Sequence, residues 1–174
     1  MDWDTGETVA WTKADMKTAH DVGVMVRASS TMPIFMPPTT IDGRTYMDGG
    51  MGDSWGILLN AARADGYERF CIIRTQPRAY RKKPMGAPEQ RLFRALFRKH
   101  PIVAERTIAR WQPYNELCDE IESLEKAGAA WVFYPDAMEV TNRTTDYDDL
   151  VRSYETGLAQ AKRDIGSLIE WLSC

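Results

Sequence analysis

Residues 42–56 read Asp-Gly-Arg-Thr-Tyr-Met-Asp-Gly-Gly-Met-Gly-Asp-Ser-Trp-Gly, and the central aspartate stands directly before a glycine pair. Glycine can adopt positive φ without a Cβ clash, so Gly49, Gly50 and Gly52 predict a sharp turn just after Asp48. Such a turn would hold the Asp48 carboxylate at an edge where it can meet a reacting group. Asp48 is therefore the candidate catalytic residue. The alternative is a tight surface turn, because Asp and Gly are ordinary turn formers.

The segments around this turn follow one another in an order typical of a known enzyme family. They are Thr5-Gly6-Glu7-Thr8-Val9, Arg27-Ala28-Ser29-Ser30-Thr31-Met32-Pro33, Pro37-Pro38, Ile41-Asp42-Gly43-Arg44-Thr45-Tyr46 and Met47-Asp48-Gly49-Gly50. Over about residues 4 to 80 the chain resembles the second half of the catalytic domain of the patatin-like phospholipases. Its tail, beyond residue 84, resembles that of a bacterial patatin-like subgroup.

The resemblance implies a serine hydrolase that cleaves acyl esters of lipids with a Ser-Asp dyad and without a catalytic histidine. In that scheme a serine on a strand-to-helix elbow attacks the ester carbonyl and the aspartate accepts its proton. A glycine-rich loop stabilises the oxyanion through backbone N–H groups. Asp48 matches the dyad aspartate. No elbow serine lies within residues 1–27 and no glycine-rich loop precedes Asp48. We therefore expect the chemistry to belong to a longer protein and this chain alone to be inactive.

A second serine offers an alternative. Gly52-Asp53-Ser54-Trp55-Gly56 satisfies the G-x-S-x-G pattern of a nucleophile elbow, and a strand over 44–47 and a helix from Trp55 would supply its flanks. The family places its elbow well before the Asp-Gly-Gly turn, so the resemblance favours Ser54 as the N-cap of that helix. A self-contained esterase that uses Ser54 stays open. So does a non-catalytic module that keeps this half of the fold and contacts a partner through its helical tail.

Hydrophobic spacing predicts an α/β fold with a mostly helical tail. In the first half, the predicted elements are a strand over 7–12, a helix over 14–29, an extended proline-rich loop over 33–40, a helix over 55–65 ended by Gly66 and a buried parallel strand over 70–73. In the second half, they are helical faces over 92–97 and 108–121, a strand over 130–134 and a helix over 146–172. Pro113 is expected either to kink the second of these helical faces or to restart its helix. By resemblance, residues 1–83 are the C-terminal portion of a three-layer α/β/α hydrolase domain. Residues 84–174 are a helical extension packed on the same core.

The final predicted helix has an apolar stripe with alternating spacings of four and three residues. Its members are Leu150, Tyr154, Leu158, Ala161, Ile165, Leu168 and Leu172. The stripe is either a coiled-coil seam between two chains or a face packed on the sheet of the same chain. We expect the second, because a long helix beside a strand can bury the stripe without a partner.

Composition narrows the expected partners. The net charge of −3 gives no broad attraction to nucleic acid, and 44% hydrophobic content suits one substantial core. No apolar run approaches the ~20 residues that span a bilayer, and the first residues lack a signal-peptide pattern, so we expect a cytoplasmic protein. A basic patch at Arg78, Arg81, Lys82 and Lys83 is a candidate for peripheral membrane contact, although a solvated face is favoured. The expected substrates, lipids or other acyl esters, are what the resemblance implies and do not follow from composition.

The remaining polar residues predict no metal and no cofactor. His20 and His100 are isolated, and the thiols of Cys71, Cys118 and Cys174 lack metal or disulfide spacing. The acidic cluster over 146–149 lacks the glycine turn and glutamate of an EF-hand and predicts a helix start. By resemblance, residues 34–36, which are Ile34, Phe35 and Met36, would line an acyl pocket beside Asp48; buried packing is the alternative.

Overall fold

Two groups of residues in the computed structural model, which describes residues 1–173, make most of their contacts among themselves. Unit 1 comprises Met1–Gly66 and Arg81–Cys118, and unit 2 comprises Tyr67–Tyr80 and the residues from Asp119 onward. Each unit is thus built from two separate segments of the chain. The division at residue 83 inferred from the sequence stays a prediction about the domains of the protein.

Unit 1 contains a helix, a hairpin and further short helices. Its elements are α1 (Ala19–Ser29), β1 (Thr39–Ile41), β2 (Arg44–Tyr46), a 3₁₀ turn (Gly49–Met51), α2 (Leu59–Ala64), α3 (Ala87–Leu96) and α4 (Pro101–Ala109). Strands β1 and β2 pair antiparallel, with Thr39 opposite Tyr46. Asp42 and Gly43 both have positive φ, 49° and 77°, which is the geometry that an Asp-Gly hairpin turn requires. The predicted strand over 44–47 is thereby confirmed, and it leads straight into the Asp48 turn.

Three sequence predictions for the part of unit 1 that precedes Asp48 are wrong, one in kind and two in their bounds. Residues 7–12 form no strand, because side chains hold this segment: the Thr8 hydroxyl donates to Asp53. Helix α1 begins at Ala19 instead of residue 14, since Thr18 and the third helical residue form a capping box. The proline-rich loop ends earlier than predicted, because β1 begins at Thr39.

The core of unit 1 is rich in methionine. Its buried members are Met1, Met47, Met51, Phe97, Val103 and Ala104, and Trp3, Phe93 and Ile102 pack against them. Two of these methionines flank the Asp48 turn, at positions 47 and 51. Burying a side chain of this size stabilises a fold by ~1.5–3 kcal/mol. The turn is therefore anchored on both sides by apolar contacts.

Unit 2 contains a two-stranded parallel sheet. Strand β3 (Phe70–Ile73) pairs with β4 (Ala130–Phe133), in the register that places Phe70 beside Ala130. Both strands were predicted, and so was the parallel character of β3, but the sequence did not identify β4 as its neighbour. Phe70, Ala130 and Val132 are buried, but Ile73 is 74% exposed, so β3 is buried on one face only. Helices and two small sheets are compatible with an α/β fold.

Helix α5 (Trp111–Lys126) contributes residues to both units, and α6 (Tyr147–Ser173) lies in unit 2. Pro113 stands in the first turn of α5, where proline is tolerated, so the predicted restart of the helix is confirmed. Helix α6 matches its predicted range within one residue at each end. Among residues 1–173, no helix has the length and apolarity needed to cross a membrane.

The apolar stripe of α6 is not buried as we expected. Tyr154 is 68% exposed and Leu172 is 60% exposed, whereas Gln160 is the buried residue of the helix. Polar groups make the contacts to the sheet side: Gln160 Nε2 donates to Tyr134 O, and Trp131 Nε1 donates to Ser167 Oγ. The expectation that the stripe packs against the sheet of the same chain is therefore wrong. Hydrogen bonds, not apolar burial, set the side that α6 turns inward.

Candidate active site

Asp48 is held by the backbone on two sides. Its N–H donates to Thr31 O at 2.8 Å, and its Oδ1 accepts from Gly50 N at 2.6 Å. The second bond caps the 3₁₀ turn Gly49–Met51, and the Asp48 side chain is partly buried. No described residue donates a hydrogen bond to Asp48 Oδ2. Oδ1 is thus fixed, and Oδ2 is available to accept a hydrogen bond.

Thr31 links the end of α1 to this turn. The Thr31 side chain is fully buried, and its hydroxyl donates to Arg27 O at 2.7 Å and pairs with Thr39 Oγ1 at 3.2 Å. The same residue accepts the Asp48 N–H through its carbonyl. Helix α1, hairpin strand β1 and the candidate catalytic residue are therefore connected through one threonine.

The glycines around Asp48 serve a purpose different from the predicted one. Gly49, Gly50 and Gly52 do not have positive φ. A Cβ at Gly50 would instead lie 2.5 Å from Arg110 Nη2 and 2.8 Å from Asp48 Oδ1, which is too close for any real contact. Gly50 therefore provides space, not backbone freedom.

Ser54 is not a helix N-cap. Trp55 and Gly56 have positive φ, 50° and 93°, so the chain turns there, and α2 begins only at Leu59. Ser54 Oγ donates to Gly49 O at 3.4 Å and accepts from Gly56 N at 3.3 Å. In the described part of the chain, no histidine or carboxylate is hydrogen bonded to Ser54. This geometry gives no support to Ser54 as an activated nucleophile, which needs an adjacent base.

Arg106, a residue of α4 that the sequence did not single out, fixes the loop after Asp48. Its Nη1 donates to Asp53 Oδ1 at 2.9 Å, and its guanidinium lies 5.4 Å from the centre of the Trp55 ring. Asp53 is held a second time, because Thr8 Oγ1 donates to its Oδ2 and accepts from its N–H. An exposed ion pair is worth ~0–1 kcal/mol alone, but here it closes a network around one loop.

Arg110, one helical turn after Arg106, reaches the same loop and was also missed. Its Nη2 lies 3.5 Å from the Cβ position of Gly56 and nearer still to that of Gly50. Its Nε is buried and has no hydrogen-bond partner. The sequence signal that was available was the spacing of Arg106 and Arg110, which places both on one helical face.

An apolar cavity of about 460 Å³ lies beside this loop. Its lining includes Gly49 and Ser54 together with the apolar residues Val9, Trp11, Met16, Met25, Val26 and Leu58. The side chains predicted to line an acyl pocket are elsewhere: Ile34 and Phe35 are 54% and 57% exposed and do not line this cavity. Buried packing is therefore wrong for Ile34 and Phe35, and their part in an acyl pocket stays a prediction.

Two residues of the predicted basic patch are engaged within their own units. Arg78 donates to both carboxylate oxygens of Glu125, at 2.6 and 2.7 Å, and these bonds raise the pKa of Arg78 further. Lys82 Nζ lies 4.2 Å from the centre of the Tyr114 ring. Membrane contact through this patch stays a prediction.

The histidines, thiols and acidic cluster show ordinary structural roles. His100 Nδ1 lies 2.7 Å from Asp4 Oδ1, and Asp146 Oδ1 accepts from Asp149 N at the start of α6. Cys71 is exposed and Cys118 is buried, both as free thiols, while Cys174 lies outside the described residues. Within residues 1–173, no group of three His, Cys, Asp or Glu residues could hold a metal ion.

Two family models match the chain, each over one segment. The model described as Patatin-like phospholipase matches residues 8–60, which include α1, the hairpin and the Asp48 turn. The model described as a domain of unknown function (DUF6363) matches residues 100–173, which include Arg106 and Arg110. Neither a search of curated proteins nor a search of solved structures finds a match.

The first match supports the resemblance inferred from the sequence. It points to a hydrolase family of the lipase and phospholipase type, whose substrates are lipids. The bacterial subgroup and the place of this chain within a larger catalytic domain stay predictions. The Asp48 turn is inside the matched segment, so the family and the candidate site concern the same residues.

Proposed function

We propose that this chain is part of a patatin-like serine acyl hydrolase, and that it supplies the dyad aspartate while the nucleophile elbow and oxyanion loop lie outside it. One observation supports Asp48 in this role above all. Its Oδ1 is fixed by Gly50 N, and no described residue occupies its Oδ2. A carboxylate held in this way presents one oxygen in a defined direction to an incoming hydroxyl.

The chemistry that follows is acyl transfer from a lipid ester. The serine hydroxyl would donate to Asp48 Oδ2 at about 2.6–3.2 Å, the range that proton transfer to a general base requires. As the serine oxygen attacks the ester carbonyl, its proton passes to the carboxylate. The apolar cavity beside Gly49 has the lining that an acyl chain needs. In this proposal the chain supplies the base and the acyl surface, and a longer protein supplies the nucleophile.

Fluorophosphonate labelling with peptide mass mapping tests the proposal on this chain and on any longer product of the same reading frame. We expect no label on this chain and a label on an upstream elbow serine of the longer product. Circular dichroism must show that both are folded. A label at Ser54 would make this chain a catalyst by itself and overturn the assignment.

The substitution Asp48→Asn in the longer product tests whether Asp48 is the general base. Loss of general-base catalysis should lower turnover by about 10²–10⁴-fold while the fold stays intact. Asp42→Asn is the matched control, because Asp42 is exposed in the hairpin turn and Asn tolerates its φ of 49°. If Asp48→Asn and Asp42→Asn keep equal turnover, Asp48 is not in the mechanism.

The exposed stripe of α6 supports a second candidate function, an interaction module. The apolar side chains of α6 and the sheet residues Ile73, Trp131 and Phe133 line an open groove of about 440 Å³. A heptad reading from Tyr147 places an apolar residue at every core position of α6. These positions are Tyr147, Val151, Tyr154, Leu158, Ala161, Ile165, Leu168 and Leu172. Val151 and Leu168 are half-buried and the other six positions are exposed, so most of this seam is open to another helix.

We infer that the occupant is α6 of a second copy, running antiparallel. In that register Tyr147 faces Leu172, Val151 faces Leu168, Tyr154 faces Ile165, and Leu158 faces Ala161. Each of these layers is apolar. Glu155 of one copy then stands beside Lys162 of the other, twice by symmetry, and both side chains are exposed. The charged pair and the apolar layers therefore both favour the same antiparallel alignment of the two α6 helices.

A charge swap tests this alignment by sedimentation equilibrium. We expect the chain to dimerise, and Glu155→Lys to weaken the dimer by about tenfold because two attractions become repulsions. Lys162→Glu should do the same, and the double variant should restore the dimer. A chain that is monomeric at all concentrations, or a double variant as weak as the single ones, contradicts the antiparallel dimer.

A further inference from the structure

The Arg110 side chain has no acceptor in the described part of the protein. Its Nε is fully buried without a hydrogen-bond partner. Its two Nη atoms also have none, and they are not among the buried unpaired atoms, so they reach solvent. A guanidinium offers five N–H donors, and a native fold rarely leaves such a group unused. Arg110 therefore has N–H donors that no described group of the chain accepts.

The Arg110 guanidinium lies beside two glycines, Gly50 and Gly56. A Cβ at Gly50 would lie 2.5 Å from Nη2 and 3.2 Å from Cζ of Arg110, and one at Gly56 would lie 3.5 Å from Nη2. Arg110 thus occupies space that Gly50 leaves open, whereas a Cβ at Gly56 would make only an ordinary contact with it. Any larger residue at position 50 would have to displace it.

Asp48 lies on the same side of Gly50. Its Oδ1 is 2.8 Å from the same Cβ position that Arg110 Nη2 approaches, yet the two charged groups form no ion pair among the described residues. Asp48 Oδ1 is already bonded to Gly50 N. The candidate base and an unpaired cation are therefore neighbours without neutralising each other.

We propose that Arg110 binds the phosphodiester group of a phospholipid substrate beside Asp48. Two parallel N–H···O bonds from one guanidinium match the oxygens of a phosphate group. A phosphodiester carries one negative charge, so it meets less repulsion from the nearby Asp48 carboxylate than a phosphate dianion would. The proposal rests on the proposed function, because it assigns a headgroup contact to the same site. It also gives residues 100–173 a part in a site whose aspartate lies in residues 8–60.

Binding can be measured on this chain without any turnover. The probe is glycerophosphocholine, a phosphodiester without acyl chains, added to the ¹⁵N-labelled chain while the Gly50 and Gly56 amide signals are followed by NMR. We expect saturable shifts at these two amides. In Arg110→Gln the affinity should fall at least tenfold. In Arg110→Lys it should fall less, because lysine keeps the positive charge but cannot donate two parallel hydrogen bonds as a guanidinium does. Arg91→Gln, at an exposed arginine of α3, is the matched control and should bind as the unmodified chain does.

Several outcomes would overturn the proposal. One is the absence of shifts at Gly50 and Gly56, and another is equal affinity in Arg110→Gln. Tighter binding of inorganic phosphate than of glycerophosphocholine would overturn the phosphodiester assignment. Should Arg110→Gln fail to fold, the affinities of Arg110→Lys and Arg91→Lys are compared, since both variants keep the charge. Equal affinity in these two variants would overturn the proposal.

The test is separate from that of the proposed function. Failure to label a serine in the longer product would refute the hydrolase and leave headgroup binding by this chain measurable. In an active longer product, Arg110→Gln should raise KM for a phospholipid by a larger factor than KM for an uncharged short-chain ester. An equal rise for both substrates would show that Arg110 only supports the loop.

Discussion

Replacing Gly50 by alanine tests whether open space at this position organises the candidate site. The new Cβ would lie 2.5 Å from Arg110 Nη2 and 2.8 Å from Asp48 Oδ1. Contacts below 3.0 Å do not occur between real atoms of these types, so at least one group has to move. Both contacts are with ends of side chains, which can shift without unfolding the turn. The substitution should therefore disturb the two charged groups more than the fold.

The expected cost follows from these contacts. Overpacking a well-packed site typically destabilises a protein by ~1–3 kcal/mol, and flexible side-chain ends place this case near ~1 kcal/mol. If Asp48 also loses its bond to Gly50 N, a charged hydrogen bond adds ~1.5–3 kcal/mol. We expect the free energy of unfolding to fall by about 1 kcal/mol if this bond survives and by about 2.5–4 kcal/mol if it is lost.

Urea unfolding of this chain, followed by tryptophan fluorescence, measures that loss. Gly23→Ala is the matched control, because Gly23 lies inside α1 and a Cβ there would meet nothing within 4 Å. That substitution should stabilise the chain by about 0.5–1 kcal/mol, as removal of a helix glycine does. If Gly50→Ala is as stable as Gly23→Ala, and the chemical shifts of Asp48 and Arg110 are unchanged, the reasoning about space at Gly50 is refuted.

Two further predictions concern stability. Gln160→Ala should lower the free energy of unfolding by about 2 kcal/mol, because buried Gln160 donates to Tyr134 O and accepts from Asp136 N; exposed Gln112→Ala should change it by less than about 0.5 kcal/mol in the same urea experiment. Burial alone would raise the pKa of Asp2, but hydrogen bonds from the Thr5 amide and hydroxyl outweigh it, so the pKa is lowered from 3.8. The stability that this carboxylate confers should be fully present above about pH 4 and be lost as pH falls through its lowered pKa. Acid unfolding of Asp2→Asn should show a shallower loss over that range, and an identical acid limb would contradict this.

Sequence reasoning found the elements whose signals are local. The strand over 44–47 and the long α6 each follow from neighbouring residues, and the structure confirms them. The positive φ of Trp55 is different, because nothing in a tryptophan predicts it. Together with the positive φ of Gly56, it turns the chain before α2 and removes Ser54 from a cap position, which explains why the predicted N-cap is wrong.

Long-range contacts account for the other differences. Thr8 holds Asp53 across 45 positions of sequence, so residues 7–12 bond to a loop instead of forming a strand. The role of Gly50 depends on Arg110, which no local pattern connects to it. The exposure of the α6 stripe likewise depends on Gln160 and Trp131, whose hydrogen bonds choose the side facing the sheet.

The alternation of the chain between its two units has a consequence for gene truncation. A deletion that keeps residues 1–83 would retain β3 but remove β4, its parallel neighbour, and would retain the Asp48 turn but remove α4 with Arg106. A deletion that keeps residues 84–174 would retain β4 and α4 but remove β3 and the Asp48 turn. No single stop codon or start site therefore releases either unit intact. Loss of a property in a terminal deletion would report damage to both units, so point substitutions are the appropriate way to assign functions within this protein.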